Sequence, residues 1–271
     1  MQRLPIVRPP ELIAETFHRR LTSGRNRALL VSARGPDGTS IDCVVKVPGL
    51  MENAALHPVP ALVEWVAASL ARELGVVVPR ALLVRITLEF AQSVTDASIA
   101  TGLSNSVGLV FGSEFIQGAS MLRGDLLDGS LRQSGETLLA FDVFIHNIDR
   151  RTGNPNLFHT RESLVAFDHG EAFSFLWPVI GGSDPVTDPL RRVVLDHACT
   201  PLVRRKTPTT FDLFRAALAQ LDDARLTAIV DSTPPEWRTG PASGKLEQMV
   251  ETLQKRRDAV DSWLPSVEAC I

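Results

Sequence analysis

Strand-like and helix-like patterns are segregated along this chain, and that order restricts its architecture more than any other feature. Strand patterns and one long helical stretch lie before about residue 117, and from about Met121 onward the sequence reads mainly helical. Such segregation argues for an α+β fold rather than alternating βαβ units. The expected arrangement is bilobal, with a β-rich N-terminal lobe over 1–117, a mainly helical C-terminal lobe over 118–271, and the glycine-flanked connector GSEFIQG between them. A chain of 271 residues, 44% apolar and 22% charged, is large enough for two lobes with real cores and has the composition of a packed protein.

Within the first part, Glu11 to Arg20 reads as a short helix after a proline-bounded start. ALLVSARGPDGTSIDCVVKV then reads as two strands joined by a glycine turn, a hairpin whose alternation in CVVKV puts Lys46 on a half-buried strand. In PALVEWVAASLAREL, Leu62, Val66, Leu70 and Leu74 recur at helical intervals, with Pro60 at the start and Gly75 just past the end. VVVPRALLVRITLEF reads as strand around Pro79, and GLVFGSEFIQG as a strand entering the connector. The helical second part is interrupted by NIDRRTGNPNLF, LVAFDHGEAF and GGSDPVTDP.

Several function classes are disfavoured. A net charge of −3 lacks the basic balance of a nucleic-acid reader, and the run Arg204, Arg205, Lys206 reads as a solvated face. The three cysteines are widely spaced with no CxxC pair, so neither a disulfide framework nor a zinc site is indicated. The N-terminus carries prolines and charges where a signal peptide needs an apolar run, and no apolar run reaches membrane-spanning length. A cytoplasmic protein with no membrane partner is therefore expected. Tyrosine is absent, which removes any mechanism that needs a phenol.

The strongest chemical signal is FDVFIHNIDRRTGNPNLF followed by SLVAFDHGEAF, which sets Asp149, then Asn154, then Asp168 behind an apolar strand. Each residue alone reads better as a turn cap or a strand end. Jointly they are the types that phosphoryl transfer needs: one carboxylate to orient or deprotonate a hydroxyl, and an amide oxygen plus a second carboxylate to hold magnesium. Upstream, Lys46 on its strand and Glu64 early in the following helix have the order of a phosphate-contacting lysine and the carboxylate that holds it. Glu73 is the rival carboxylate, expected to face solvent near the helix end. Gly24, with Arg25 and Arg27, forms a turn that offers N–H groups and charge to phosphates, although it has no GxGxxG. In the connector, Glu114 and Ile116 are candidates for backbone contact with a purine edge, with Val44 and Leu164 as apolar walls. His146, His159, His169 and His197 raise a transition-metal alternative, centred on His169 beside Asp168, but none has HExxH spacing.

VVKV with Lys46, VEWVAASLARELGVVVP with Glu64, GSEF, NIDRRTGNPNLF, VAFDHGEAF and PPEWRTGPASGKLEQMVETLQKRRDAV together resemble the HipA-like kinases, especially their small stand-alone branch. More distantly they resemble phosphatidylinositol kinases, whose catalytic loops also read DRxxxN. The resemblance spans nearly the whole chain and implies the bilobal protein-kinase-like fold, ATP and magnesium. It implies Lys46 on nucleotide phosphate, Asp149 as base, and Asn154 with Asp168 on the metal. Two positions depart from the pattern: Arg151 stands where many relatives have histidine, and His169 replaces the phenylalanine of the protein-kinase DFG. The activity expected is ATP-dependent transfer to a Ser or Thr hydroxyl of a protein. The alternatives are a small-molecule kinase, AMP transfer on the same fold, and a nucleotide-binding pseudokinase; antibiotic kinases carry HxDxxxxN, and here Asn147 occupies the place of that histidine.

Overall fold

A computed structural model describes residues 6, 8–21, 28–51, 60–118, 120–121, 131–160, 163–177, 183–204 and 210–271. The chain forms two compact units, one of Met1–Trp65, Pro79–Gln117 and Ser232–Ala242, the other of Val66–Val78, Gly118–Asp231 and Ser243–Ile271. Among the described residues there are ten α-helices and eight strands.

The first unit is built on a closed five-stranded barrel in the order β1-β2-β3-β5-β4, with β1 Glu11–Arg20, β2 Leu29–Arg34, β3 Ser40–Val45, β4 Ala81–Ile86 and β5 Gly108–Glu114. The expected β2–β3 hairpin forms, with Val31 opposite Cys43. β1 corrects the helix expected over the same residues. Its Glu, Leu and Ala content favours helix locally, but the segment pairs antiparallel with β2 and parallel with β4, so non-local hydrogen bonds decide its state. Register shifts at Ala14/Thr16 and Phe17/Arg19 also break the alternation by which a strand is recognised. Leu12, Val31, Val45 and Val84 fill the interior of the barrel. Two helices that the sequence pattern does not announce pack on this core: α2 Leu88–Ser93, with Thr87 accepting from the Phe90 N–H at 3.1 Å, and α3 Ala97–Ser104, with Asp96 accepting from Ser98 and Ile99. Both caps satisfy N–H groups that a helix start leaves open.

Helix α1, Pro60–Glu73, lies where the sequence places it, and the division between the units falls within it. Gly75 adopts φ 76°, and the Val76 N–H reaches back to Ala71 O at 2.8 Å, the left-handed termination that glycine allows. From Leu62 to Ala68 every residue is buried, and Glu64 is the one charge among them.

The second unit centres on α4, Arg132–Phe144, whose last eight residues, 137–144, are all buried. Around it pack α6 Thr200–Val203, α7 Asp212–Ala219 and α9 Ser243–Asp258. α5 Arg191–Asp196, α8 Asp223–Asp231 and α10 Val260–Glu268 complete the helices. A small antiparallel sheet orders β6 Ser120–Met121, β7 Leu157–His159 and β8 Leu164–Ala166. The loop between α4 and β7 and the loop after β8 carry the residues singled out for phosphate chemistry. No helix among the described residues is long and apolar enough to cross a membrane.

Candidate active site

In the first unit, Lys46 follows the last residue of β3 rather than lying within the strand. Its N–H still continues the ladder, donating to Phe111 O at 3.0 Å. Its ammonium makes an ion pair with Glu64, the two side chains being 11% and 3% exposed. A carboxylate buried in an apolar helix costs several kcal/mol unless it is paired, so Glu64 and Lys46 stabilise one another's presence. Glu73 is not the solvent-facing residue expected. It pairs with Arg225 of α8, because α1 keeps this late turn partly covered, at 21% exposure.

In the second unit, Asp149 and Asn154 lie in the loop after α4. The Asn154 amide nitrogen donates to Asp149 Oδ2 at 2.7 Å, and Asn154 and Arg151 exchange backbone hydrogen bonds at 3.0 and 3.2 Å that close the turn. With its nitrogen committed to Asp149, the amide turns its oxygen away from that carboxylate. Asp168, just after β8, has φ 56°, a left-handed backbone uncommon for a residue with a Cβ. Burial pushes the half-buried Asp149 carboxyl above its ordinary value, and the negative charges of Asp168 and Glu171 add to this, against Arg151 and Arg150. The two aspartates are thus electrostatic neighbours. A carboxylate so raised holds a proton more strongly than free aspartate, which suits a base.

The loop is held from beneath by a group that sequence reasoning missed. Asp142, in the last turn of α4, is fully buried; its carboxylate accepts from Asn147 Nδ2 at 2.8 Å, Arg150 Nε at 2.6 Å and His197 Nε2 at 3.0 Å. His197 Nδ1 accepts the Cys199 N–H at 3.1 Å, so in the neutral ring the proton sits on Nε2 and is given to Asp142. Buried Arg150 also donates through Nη1 to Asn156 O at 2.7 Å and to Phe167 O at 3.1 Å. One guanidinium thus ties α4 to the residues that follow Asn154 and to the residue before Asp168. Asn147 returns the connection, accepting the Asp149 N–H at 3.3 Å. Burial pushes the Asp142 carboxyl up, but the Arg150 charge and the His197 hydrogen bond outweigh it and hold the group well below the usual carboxylate range. The eight-residue spacing of Asp142 and Arg150 is visible in FDVFIHNIDR; the approach of His197 from the end of α5 is not.

The model of one family, the HipA-like kinases, matches residues 53–261. The chain belongs to the HipA-like kinase family. Among solved structures, this HipA-like kinase is similar to a Helicobacter pylori proinflammatory kinase, CtkA, with 13% identity over 94% of this chain and 95% of that one, at a TM-score of 0.48. No curated protein matches it in sequence.

Other expected site residues of this kinase are less directly placed. Gly24, Arg25 and Arg27 lie outside the described residues. The Glu114 N–H is engaged within the barrel by Arg80 O at 2.9 Å, and its carboxylate by Arg80 Nε at 3.0 Å; Ile116 follows in the connector. Val44 is half-buried on β3, whereas Leu164 is 1% exposed and belongs to the core of the second unit. Among the described residues no three His, Cys, Asp or Glu side chains are grouped to hold a metal, and His169 is buried with its ring edge-on to Phe141. The hard oxygens of Asn154 and Asp168 suit magnesium, which needs few protein ligands, better than a transition metal.

Proposed function

We propose that this HipA-like kinase is an ATP- and magnesium-dependent phosphotransferase acting on a Ser or Thr hydroxyl of a protein, in the cytoplasm. The observation that carries the reading is the grouping of Asp149, Asn154 and Asp168, with Asn154 holding one carboxylate oxygen and the Asp149 carboxyl raised. Lys46 contacts a nucleotide phosphate oxygen while Glu64 restrains its ammonium. Asp149 orients the acceptor hydroxyl and takes its proton as the new O–P bond forms and the bond to the leaving ADP oxygen breaks. Asn154 and Asp168 offer the oxygens for magnesium, which when bound neutralises charge on the transferring phosphoryl group.

Incubation with ATP labelled at the γ position, magnesium and cell extract should place label in protein, and Lys46→Ala should lower the rate by at least about 100-fold. Label in a metabolite would replace the protein acceptor with a small molecule. Label entering only from the α position would mean AMP transfer, and no turnover would leave a nucleotide-binding partner.

The acid limb of the rate provides a second test. Asp149 acts as base only when deprotonated, so activity is lost as pH falls through its raised pKa. Glu171→Gln removes one of the negative charges that raise it. The acid limb of kcat/KM should therefore move to lower pH while the alkaline side stays in place. A limb that does not move, or moves upward, would detach that limb from Asp149.

A further inference from the structure

The segment Ser232–Ala242 separates α8 from α9, yet it folds with the barrel unit. It contains the PPEW motif, whose residues have no place in the chemistry above. Ser232, Thr233 and Pro234 are buried, and Pro235–Trp237 form one short 3-10 turn. The segment is anchored from three directions. Arg8 donates to Ser232 O at 3.1 Å and to Thr233 O at 3.2 Å. Trp237 Nε1 donates to Leu109 O on β5 at 2.8 Å. The Trp237 ring lies edge-on to the ring of Trp65, with centroids 6.2 Å apart, while Trp65 Nε1 donates to Ser232 Oγ at 2.9 Å.

Trp65 is the neighbour of Glu64 on α1. A helix turns as a rigid body, so whatever fixes the rotation of α1 at Trp65 also fixes the direction of Glu64. At the outer radius of a helix, about 5 Å, a roll of about 20° carries a side-chain head by roughly 2 Å, enough to break an ion pair. The neighbouring Leu62, Val63 and Val66 are buried apolar side chains, which offer no directed bond. The indole of Trp65 adds a directed hydrogen bond, and Trp237 closes over it while bonded to the barrel.

We propose that Trp237 is a positioning residue: by seating Trp65 against β5 it sets the roll of α1 that brings Glu64 onto Lys46. The inference rests on reading Lys46 as the phosphate contact, and it gives the PPEW segment a part in nucleotide use rather than in stability alone. The role needs no contact of Trp237 with nucleotide or acceptor. It acts through Glu64.

The test measures ATP turnover for Trp237→Ala, Trp237→Phe, Glu64→Gln, Lys46→Ala and the double variant Trp237→Ala/Glu64→Gln. Misplacement of a catalytic contact by an ångström or two costs on the order of 100-fold, so Trp237→Ala should lower kcat/KM for ATP by about 10- to 100-fold. Trp237→Phe keeps an aromatic ring beside Trp65 but loses the indole N–H together with the five-membered ring that carries it, and should fall between Trp237→Ala and the native enzyme. The deciding result is non-additivity: once Glu64 is neutral, removing Trp237 should have little further effect. Wild-type kcat/KM in both Trp237 variants beside a defective Lys46→Ala would overturn the positioning role alone. So would a double variant whose losses multiply, since that is what independent destabilisation produces. If Lys46→Ala and Glu64→Gln are themselves fully active, the phosphate-site reading fails and the positioning role falls with it.

Discussion

Replacing Asp149 with Asn should lower phosphoryl transfer by about 100- to 10,000-fold, the usual worth of a positioned general base, while ATP and magnesium still bind. Asn keeps the size of the side chain and can still meet the Asn154 amide, which donates to Asp149 at 2.7 Å in the native loop. It cannot take a proton. Asp168→Ala should fail in a different way. It removes an anionic oxygen ligand, so magnesium-dependent nucleotide affinity and transfer should fall together. Removing that negative neighbour should also lower the pKa of Asp149, which Asp168 helps to raise. Calorimetric titration of ATP with and without magnesium, beside a transfer assay on both variants, separates the two roles. A fully active Asp149→Asn, or Asp168→Ala with unchanged magnesium-dependent binding, would remove the assignment.

Asp142→Ala should destabilise the fold by about 3–5 kcal/mol, because it strands the charge of Arg150 in a site only 1% exposed. It also strips the partners from Asn147 Nδ2 and His197 Nε2. Chemical denaturation measures this directly, and a change within about 0.5 kcal/mol, the range of an ordinary surface substitution, would show that the network carries no weight. The pH dependence has a definite sign. The folded-state pKa of Asp142 lies below its unfolded value, so its contribution is complete above roughly pH 4–5 and drains away as pH falls toward the lower folded-state pKa. In Asp142→Ala that part of the acid sensitivity should be missing.

The difference between these two predictions follows what each group touches. Asp149 is half-buried and raised by burial and neighbouring charge, the state of a group that exchanges protons. Asp142 is sealed, fully bonded and depressed, the state of one that holds a loop in shape. Both are aspartates seven residues apart in FDVFIHNID, and only their surroundings distinguish the proposed base from the anchor.

What could be read from the chain alone was what short spacings encode. The limits of α1 follow from Pro60, the apolar period and Gly75; the hairpin follows from the glycine turn between β2 and β3. Asp149 and Asn154 meet because five residues of loop close on themselves. Segregation of strands before helices likewise indicated a mixed fold without alternating units. Long-range contacts decided the rest. β1 is a strand because β2 and β4 supply hydrogen bonds that outweigh the helical preference of ELIAETFHRR, and its register shifts hide the alternation. Glu73 is structural because Arg225 arrives from far along the chain. Asp142 gains its third partner only when His197, 55 residues on, reaches the carboxylate oxygen that Arg150 also meets. The PPEW segment has a partner in Trp65 across a separation of more than 160 residues. Local sequence sets backbone preference and brings near neighbours together, whereas burial, and with it the pKa and role of each carboxylate, exists only once distant segments have excluded water.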